Sequence, residues 1–202
     1  MLAILDYGLG NVQAFANIYQ RLGIPNKIVS NASELSSAVG LILPGVGSFD
    51  WAITRLNESG LRDCLEHLVC VEKLPFLGVC VGMQLLCKKS DEGNLDGLGW
   101  VEGEITKLSS DGAREKILLP HMGWNNVFDY KSEGLFESLD KPEFYFLHSY
   151  RFLPQGTTEV LATTHYGGPF VSAIKYQNIY GVQFHPEKSH DDGVRVLSNF
   201  YE

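Results

Sequence analysis

Leu74-Pro75-Phe76-Leu77-Gly78-Val79-Cys80-Val81-Gly82-Met83-Gln84-Leu85-Leu86-Cys87 is the stretch that decides how the chain folds. Phe76 to Val79 is a short apolar run of the kind that forms a buried strand. Met83, Leu85, Leu86 and Cys87 then supply the apolar cover of a helix. Between them lies Gly78-Val79-Cys80-Val81-Gly82, a G-x-C-x-G. That is a strand-to-helix elbow with a thiol at its tip, where hydrolase versions carry a serine. The glycines have a steric reason: a nucleophile on a sharp turn leaves no room for side chains on either flank. A helix N-terminus at the tip favours thiolate over thiol. Cys80 is therefore the candidate nucleophile, against the blander reading of a buried cysteine beside a packed glycine turn.

Working outward, the 202 residues suit one domain, 1–202, with a full core. Hydrophobic residues make up 45% and charged residues 20%, an ordinary globular composition. The formal net charge of -8 argues against a chain-wide nucleic-acid role. Cys64, Cys70, Cys80 and Cys87 match no zinc spacing, and no metal or cofactor is expected. The apolar start, Met1 to Leu5, is too short for a signal core, and no run reaches membrane-spanning length. The expectation is a reduced, cytoplasmic protein with free thiols.

Upstream of the elbow, Leu2–Leu5 reads as a first buried strand and Asp6–Asn11 as a loop. A helix follows from near Asn11, with Val12, Phe15, Ile18, Tyr19 and Leu22 on one face; Gly23 and Pro25 end it. The GLGN loop lacks the third glycine and the Lys-Ser/Thr ending of a phosphate cradle. Asn26–Ser30 is a second strand, Ser33-Glu34-Leu35 opens a short helix, and Leu41–Leu43 is a third strand running into Pro44-Gly45-Val46-Gly47. Asp50–Leu56 and Leu61–Val71 are helical by pattern. Such alternation predicts an α/β fold: a mostly parallel central sheet with flanking helices. Ligands on these sheets sit at strand carboxyl ends, where both PGVG and Cys80 fall.

Downstream, Asp91–Gly99 is a polar, glycine-rich loop. Strands are expected over Trp100–Leu108, Lys116–Leu119, Phe144–His148, Val160–Thr164, Val171–Tyr176 and Ile179–Gln183, a loop over His121–Asn126, and a closing helix over Asp192–Tyr201. The second half is thus a β-rich addition to the first. Ile179 to Glu187, IYGVQFHPE, carries the other chemistry. His185 and Glu187 are two apart, and an extended chain puts both on one face. A carboxylate beside an imidazole fixes one ring nitrogen as donor and leaves the other as base. Cys80, His185 and Glu187 satisfy the nucleophile, base and orienter roles.

GVCVGMQ with a downstream GVQFHPEKS resembles the class I glutamine amidotransferases, over essentially the whole chain. Asp6-Tyr7-Gly8 with Gly10-Asn11, Pro44-Gly45-Val46-Gly47, His121-Met122-Gly123-Trp124-Asn125 and His148-Ser149-Tyr150 look like the branch that forms the glutaminase subunits of imidazole glycerol phosphate synthase. The resemblance implies the flavodoxin-like amidotransferase fold and hydrolysis of glutamine by Cys80, with Val81 N–H and a peptide near Val46-Gly47 as oxyanion donors. It implies that Gln84, Glu92, Gly45 and the backbone of Ser149 and Tyr150 hold the substrate. It also implies a heterodimer with a (β/α)8 cyclase subunit, met through Asn11, Met122, Trp124, Tyr145 and Lys188, which receives the ammonia through a shielded route.

Three other readings stay open at this point. The same glutaminase chemistry serves sugar amidotransferases of surface-polysaccharide synthesis. A γ-glutamyl hydrolase or peptidase uses the same triad on larger substrates. A non-catalytic subunit with a vestigial site is the third. His67, His121, His165 and His190 read as structural or surface residues, and His148 as the anchor of a strand end. Cys64, Cys70 and Cys87 fall on helical patterns as small buried hydrophobes.

Overall fold

A computed structural model describes residues 1–109 and 117–202. Five strands run parallel through its centre: β1 (Leu2–Leu5), β2 (Asn26–Val29), β3 (Gly40–Gly45), β4 (Phe76–Cys80) and β12 (Ile179–Val182), in the order β2-β1-β3-β4-β12. The inner strands β1, β3 and β4 form continuous apolar runs buried at every position, as a sheet covered on both faces requires, while the edge strand β2 carries Asn26 and the exposed Lys27. The sheet continues antiparallel through β11 (Pro169–Tyr176), β9 (Tyr150–Pro154) and β6 (Gly103–Lys107), the two-residue β5 (Lys89–Ser90) pairs parallel to β6, and β10 (Glu159–His165) pairs antiparallel with β11. A separate two-stranded ribbon joins β7 (His121–Asn126) to β8 (Glu143–His148).

Five helices complete the described residues: α1 (Val12–Arg21), α2 (Phe49–Glu58), α3 (Arg62–Glu66), α4 (Val81–Gln84) and α5 (His190–Tyr201). Asn11 caps α1 by accepting from Ala14 N–H. Tyr19 of α1 donates its hydroxyl to the Leu197 carbonyl of α5 at 3.0 Å, tying the first helix to the last.

The expected central alternation is present, and the departures have physical causes. His121–Asn126 is a strand and not a loop. Its polar and aromatic residues alternate because one edge faces solvent while β8 supplies the ladder, with His121 opposite His148 and Trp124 opposite Tyr145. Strand β9 is not expected from the sequence: its alternation is broken by Arg151 and Pro154, and pairing with β6 and β11 makes it a strand. β6 begins at Gly103, three residues later than expected. Residues Ile117–Leu119 form no strand, and Lys116 lies outside the described residues. Ser33-Glu34 belongs to a single 3₁₀ turn, Ala32–Glu34, and the Leu61–Val71 helix widens into a π turn from His67. Cys64 and Cys70 are only half-buried.

Candidate active site

Register assembles the site. β3 and β4 pair so that Gly45 stands opposite Cys80, and β12 pairs so that Val182 stands opposite Val79. The next residues after Val182, Gln183 to His185, therefore emerge beside the sulfur. Cys80 itself has φ +54 and ψ -110, a strained conformation for a residue with a Cβ. The packing around it over-determines that strain. A Cβ on Gly82 would lie 2.0 Å from Leu43 O, and one on Gly78 would lie 2.6 Å from Gly82 O. Only glycines let the helix start that close to two strands.

Cys80, Val81, Val46, Gly47, Glu92, Leu147, His148, Ser149, Pro120 and His185 line a cavity of about 210 Å³. A larger groove of about 550 Å³ lies behind Glu187, lined by Ile18, Arg21, Lys188 and His190 among others, but it holds no nucleophile. Gly45, Gln84, Tyr150 and Glu187 do not line the 210 Å³ cavity and stand behind it.

His185 Nδ1 lies 2.9 Å from Glu187 Oε1, and both side chains are almost fully buried. The contact does not arise from an extended chain: Pro186–Lys188 is a 3₁₀ turn, which folds the carboxylate back under the ring. β8 fixes the segment, since His185 N–H donates to Tyr145 O at 2.8 Å and Tyr145 N–H to Ser189 Oγ at 3.0 Å. Burial alone pulls the His185 imidazolium down. The Cys80 sulfur and the Glu187 carboxylate outweigh it and hold the group up to about 10. The surroundings of His185 thus favour an imidazolium beside the Cys80 sulfur. α4 is one turn long, so its macrodipole is small. His185 supplies the stronger positive charge beside the sulfur.

The opposite wall is different. His148 Nδ1 lies 2.7 Å from Tyr150 O, an acceptor, so that nitrogen carries the proton. Its Nε2 then accepts from His121 Nδ1 at 3.0 Å, and His121 Nε2 accepts from Asn125 Nδ2 at 3.2 Å. Both rings are neutral: burial pushes His121 down to about 4 and His148 to about 3. His148 anchors the strand end, as its place in the sequence suggests. Glu92 accepts from Phe49 N–H at 2.8 Å, which latches the 91–99 loop onto the start of α2; burial raises its carboxyl against the pull of that bond.

Two residues went unforeseen. Gln183 is 0% exposed and its amide reaches the Cys80 sulfur. Tyr7 is buried and donates to Pro44 O at 2.8 Å, at the head of the Pro44–Gly47 segment. Both lie within stretches that carry the family resemblance, GVQFHPEKS and Asp6-Tyr7-Gly8, but nothing in the sequence pointed to their contacts with Cys80 and Pro44. On the outer face, Met122 is 62% and Trp124 43% exposed, Trp124 stacks on His190 at 4.8 Å, and the Lys188 ammonium sits 5.5 Å from the centre of the half-buried Tyr145 ring. Asn11 is exposed beside the same end of the sheet. Among the described residues no cluster of His, Cys, Asp or Glu could hold a metal, and no helix is long and apolar enough to cross a membrane.

Residues 3–202 match the family model described as glutamine amidotransferase class-I. A Bdellovibrio bacteriovorus protein named imidazole glycerol phosphate synthase subunit HisH is 54% identical over 203 aligned positions, covering 100% of both chains. A protein of the same name from Leptospira interrogans is 48% identical, covering 99% of this chain and 98% of its own. Among solved structures, a glutamine amidotransferase superposes with a TM-score of 0.76 at 21% identity, covering 100% of this chain and 99% of that one. The Trypanosoma brucei CTPS glutaminase domain with bound acivicin superposes with a TM-score of 0.64 at 17% identity, covering 98% and 91%. These two likenesses speak for the fold.

Proposed function

The chain belongs to the class I glutamine amidotransferase family, and from that premise we propose that Cys80, His185 and Glu187 carry out its hydrolysis of L-glutamine to glutamate and ammonia. It is the glutaminase subunit of an imidazole glycerol phosphate synthase, in histidine biosynthesis. The observation that carries the residue assignment is the buried His185–Glu187 contact at 2.9 Å, set in one cavity with the elbow cysteine.

The Cys80 thiolate attacks the side-chain amide carbonyl of glutamine, and a C–S bond forms. The oxyanion is met by Val81 N–H, one of the donors a helix start leaves without an intrahelical partner, and by a peptide N–H at Val46-Gly47. His185 gives its proton to the departing nitrogen as the C–N bond breaks, and ammonia leaves. A γ-glutamyl thioester remains. His185, now neutral at Nε2, takes a proton from water, which attacks the thioester and releases glutamate, and the thiolate–imidazolium pair is restored. Glu187 keeps Nδ1 protonated throughout. Glu92 in the cavity wall suits the substrate's ammonium, and Ser149 lines its amino-acid end, with Gly45 and Tyr150 supporting from behind. Gln84 acts from behind, through its bond to Tyr150 O at 3.4 Å.

The partner is a (β/α)8 cyclase subunit, met through Asn11, Met122, Trp124, Tyr145 and Lys188. An aromatic anchor exposed on a strand, ringed by polar groups, is what an interface centre requires. Ammonia protonates in water and stops being a nucleophile, so delivery through a closed route to the partner follows from the chemistry. No step needs a metal or cofactor, and the setting is cytoplasmic. The test is ammonia release by the purified chain alone and with a histidine-pathway cyclase bearing its nucleotide ligand. A large rise with the cyclase is expected. Equal turnover with and without it overturns the activation reading, and a rise only with a sugar amidotransferase transfers the partner assignment there.

A further inference from the structure

Gln183 is a side-chain amide with no solvent exposure, set beside the Cys80 sulfur. Burying an amide without satisfying it is costly, so its partners disclose its purpose. Its Oε1 accepts from Gln84 Nε2 at 3.1 Å. Its Nε2 lies 3.7 Å from Cys80 Sγ, within reach of a sulfur acceptor. The orientation of both amides follows from the network. Gln84 faces Tyr150 O, which only accepts, so Gln84 must present its nitrogen there and to Gln183. Gln183 then presents oxygen to Gln84 and nitrogen to the sulfur. His148 Nδ1 donates to the same Tyr150 O, so this carbonyl is held from two sides. On another side of the sulfur, Leu147 O lies 3.7 Å away. A carbonyl at that distance accepts from S–H and repels S⁻, so on its own it favours the thiol. The Gln183 N–H favours the thiolate and opposes it.

We propose that Gln183 is a positioning residue for the reaction: its amide N–H holds the Cys80 sulfur as a thiolate and aims it into the cavity, with Gln84 and Tyr150 O fixing the amide. This rests on the reading of Cys80 as nucleophile. The titratable groups facing the sulfur are His185 after β12, His148 at the end of β8, Glu92 in the 91–99 loop and Tyr7 after β1; none is altered in the variants below.

The test is the pH dependence of iodoacetamide alkylation at Cys80, read by peptide mass mapping on the full chain, with Cys64, Cys70 and Cys87 as internal references. Gln183→Met keeps the volume and removes the donor. Gln183→Glu keeps the shape and the acceptor toward Gln84 while placing a carboxylate against the sulfur. The alkylation midpoint should rise by about one pH unit in Gln183→Met, the size of one charge-assisted hydrogen bond, and further in Gln183→Glu. Glutamine turnover at pH 7 should fall about tenfold in kcat with KM within about twofold, and part of the loss should return as pH rises. Midpoints equal to wild type in either folded variant overturn the proposal. A wild-type Cys80 that is not alkylated at neutral pH, or a Cys80→Ala chain that still hydrolyses glutamine, overturns the nucleophile reading instead, so the two failures are distinct.

Discussion

Two buried histidines line one cavity and end up in opposite states. His185 is held charged to about 10, while His148 stays neutral down to about 3. Burial pushes both the same way, toward neutral. What separates them is the company each keeps. His185 contacts a carboxylate and a sulfur, both of which gain from a positive ring. His148 contacts a carbonyl through Nδ1 and a second imidazole through Nε2, and a proton on Nε2 would remove that acceptor. Each is a histidine at or just past a strand's carboxyl end, so the roles are set by third residues that only the fold supplies. One wall of the cavity is built to hold a charged ring, as the proposed proton transfer needs; the other holds the Ser149-Tyr150 corner still.

The comparison is most sharply broken from the catalytic side. Cys80→Ala should lower partner-stimulated glutamine turnover on the order of 10⁴-fold or more, with a melting temperature close to wild type, since it removes the group and none of the packing. Turnover assays with calorimetry check both halves. Glu187→Gln should cost roughly 10²- to 10⁴-fold in kcat, because a neutral amide neither fixes the tautomer nor stabilises the imidazolium. In the same variant the rate profile should shift to lower pH, since the remaining causes hold His185 charged over a narrower range.

The neutral wall predicts a stability effect with the reverse pH sense. The folded His148 is depressed below its ordinary 6.5, so the unfolded chain binds more protons as pH falls. Its contribution is complete above about 6.5 and is lost as pH drops toward about 3. Between pH 7 and pH 5 the wild type should lose about 2 kcal/mol more stability than His148→Gln, read from urea midpoints at the two values. An identical pH dependence in the two proteins would mean the ring is not held neutral. The smallest effect concerns the outer face. Trp124→Ala should change the stability of the isolated chain by less than about 1 kcal/mol but weaken cyclase binding about 10- to 100-fold, measured by titration calorimetry.

The elbow and the H-P-E pair were legible because their chemistry is local. Gly78 and Gly82 declare a close approach within five residues, and His185 and Glu187 find each other within three. The inner parallel strands β1, β3 and β4 were legible because burial on both faces leaves an unmixed apolar run. Strands β9 and β7 were not: Arg151 and Pro154 break the pattern of β9, and the short polar and glycine-bearing His121–Asn126 reads as a loop until β8 pairs with it. Gln183 and Tyr7 escaped for the same reason: their partners, Cys80 and Pro44, lie 103 and 37 residues away. An interaction at that separation leaves no spacing to read.

The most direct measurement is acid-quenched mass mapping of the chain mixed with L-glutamine in the presence of the cyclase subunit. A γ-glutamyl adduct on the peptide carrying Cys80, absent in Cys80→Ala, is the predicted result. An adduct on Cys64, Cys70 or Cys87, or ammonia released from the Cys80→Ala chain at the wild-type rate, would contradict the account.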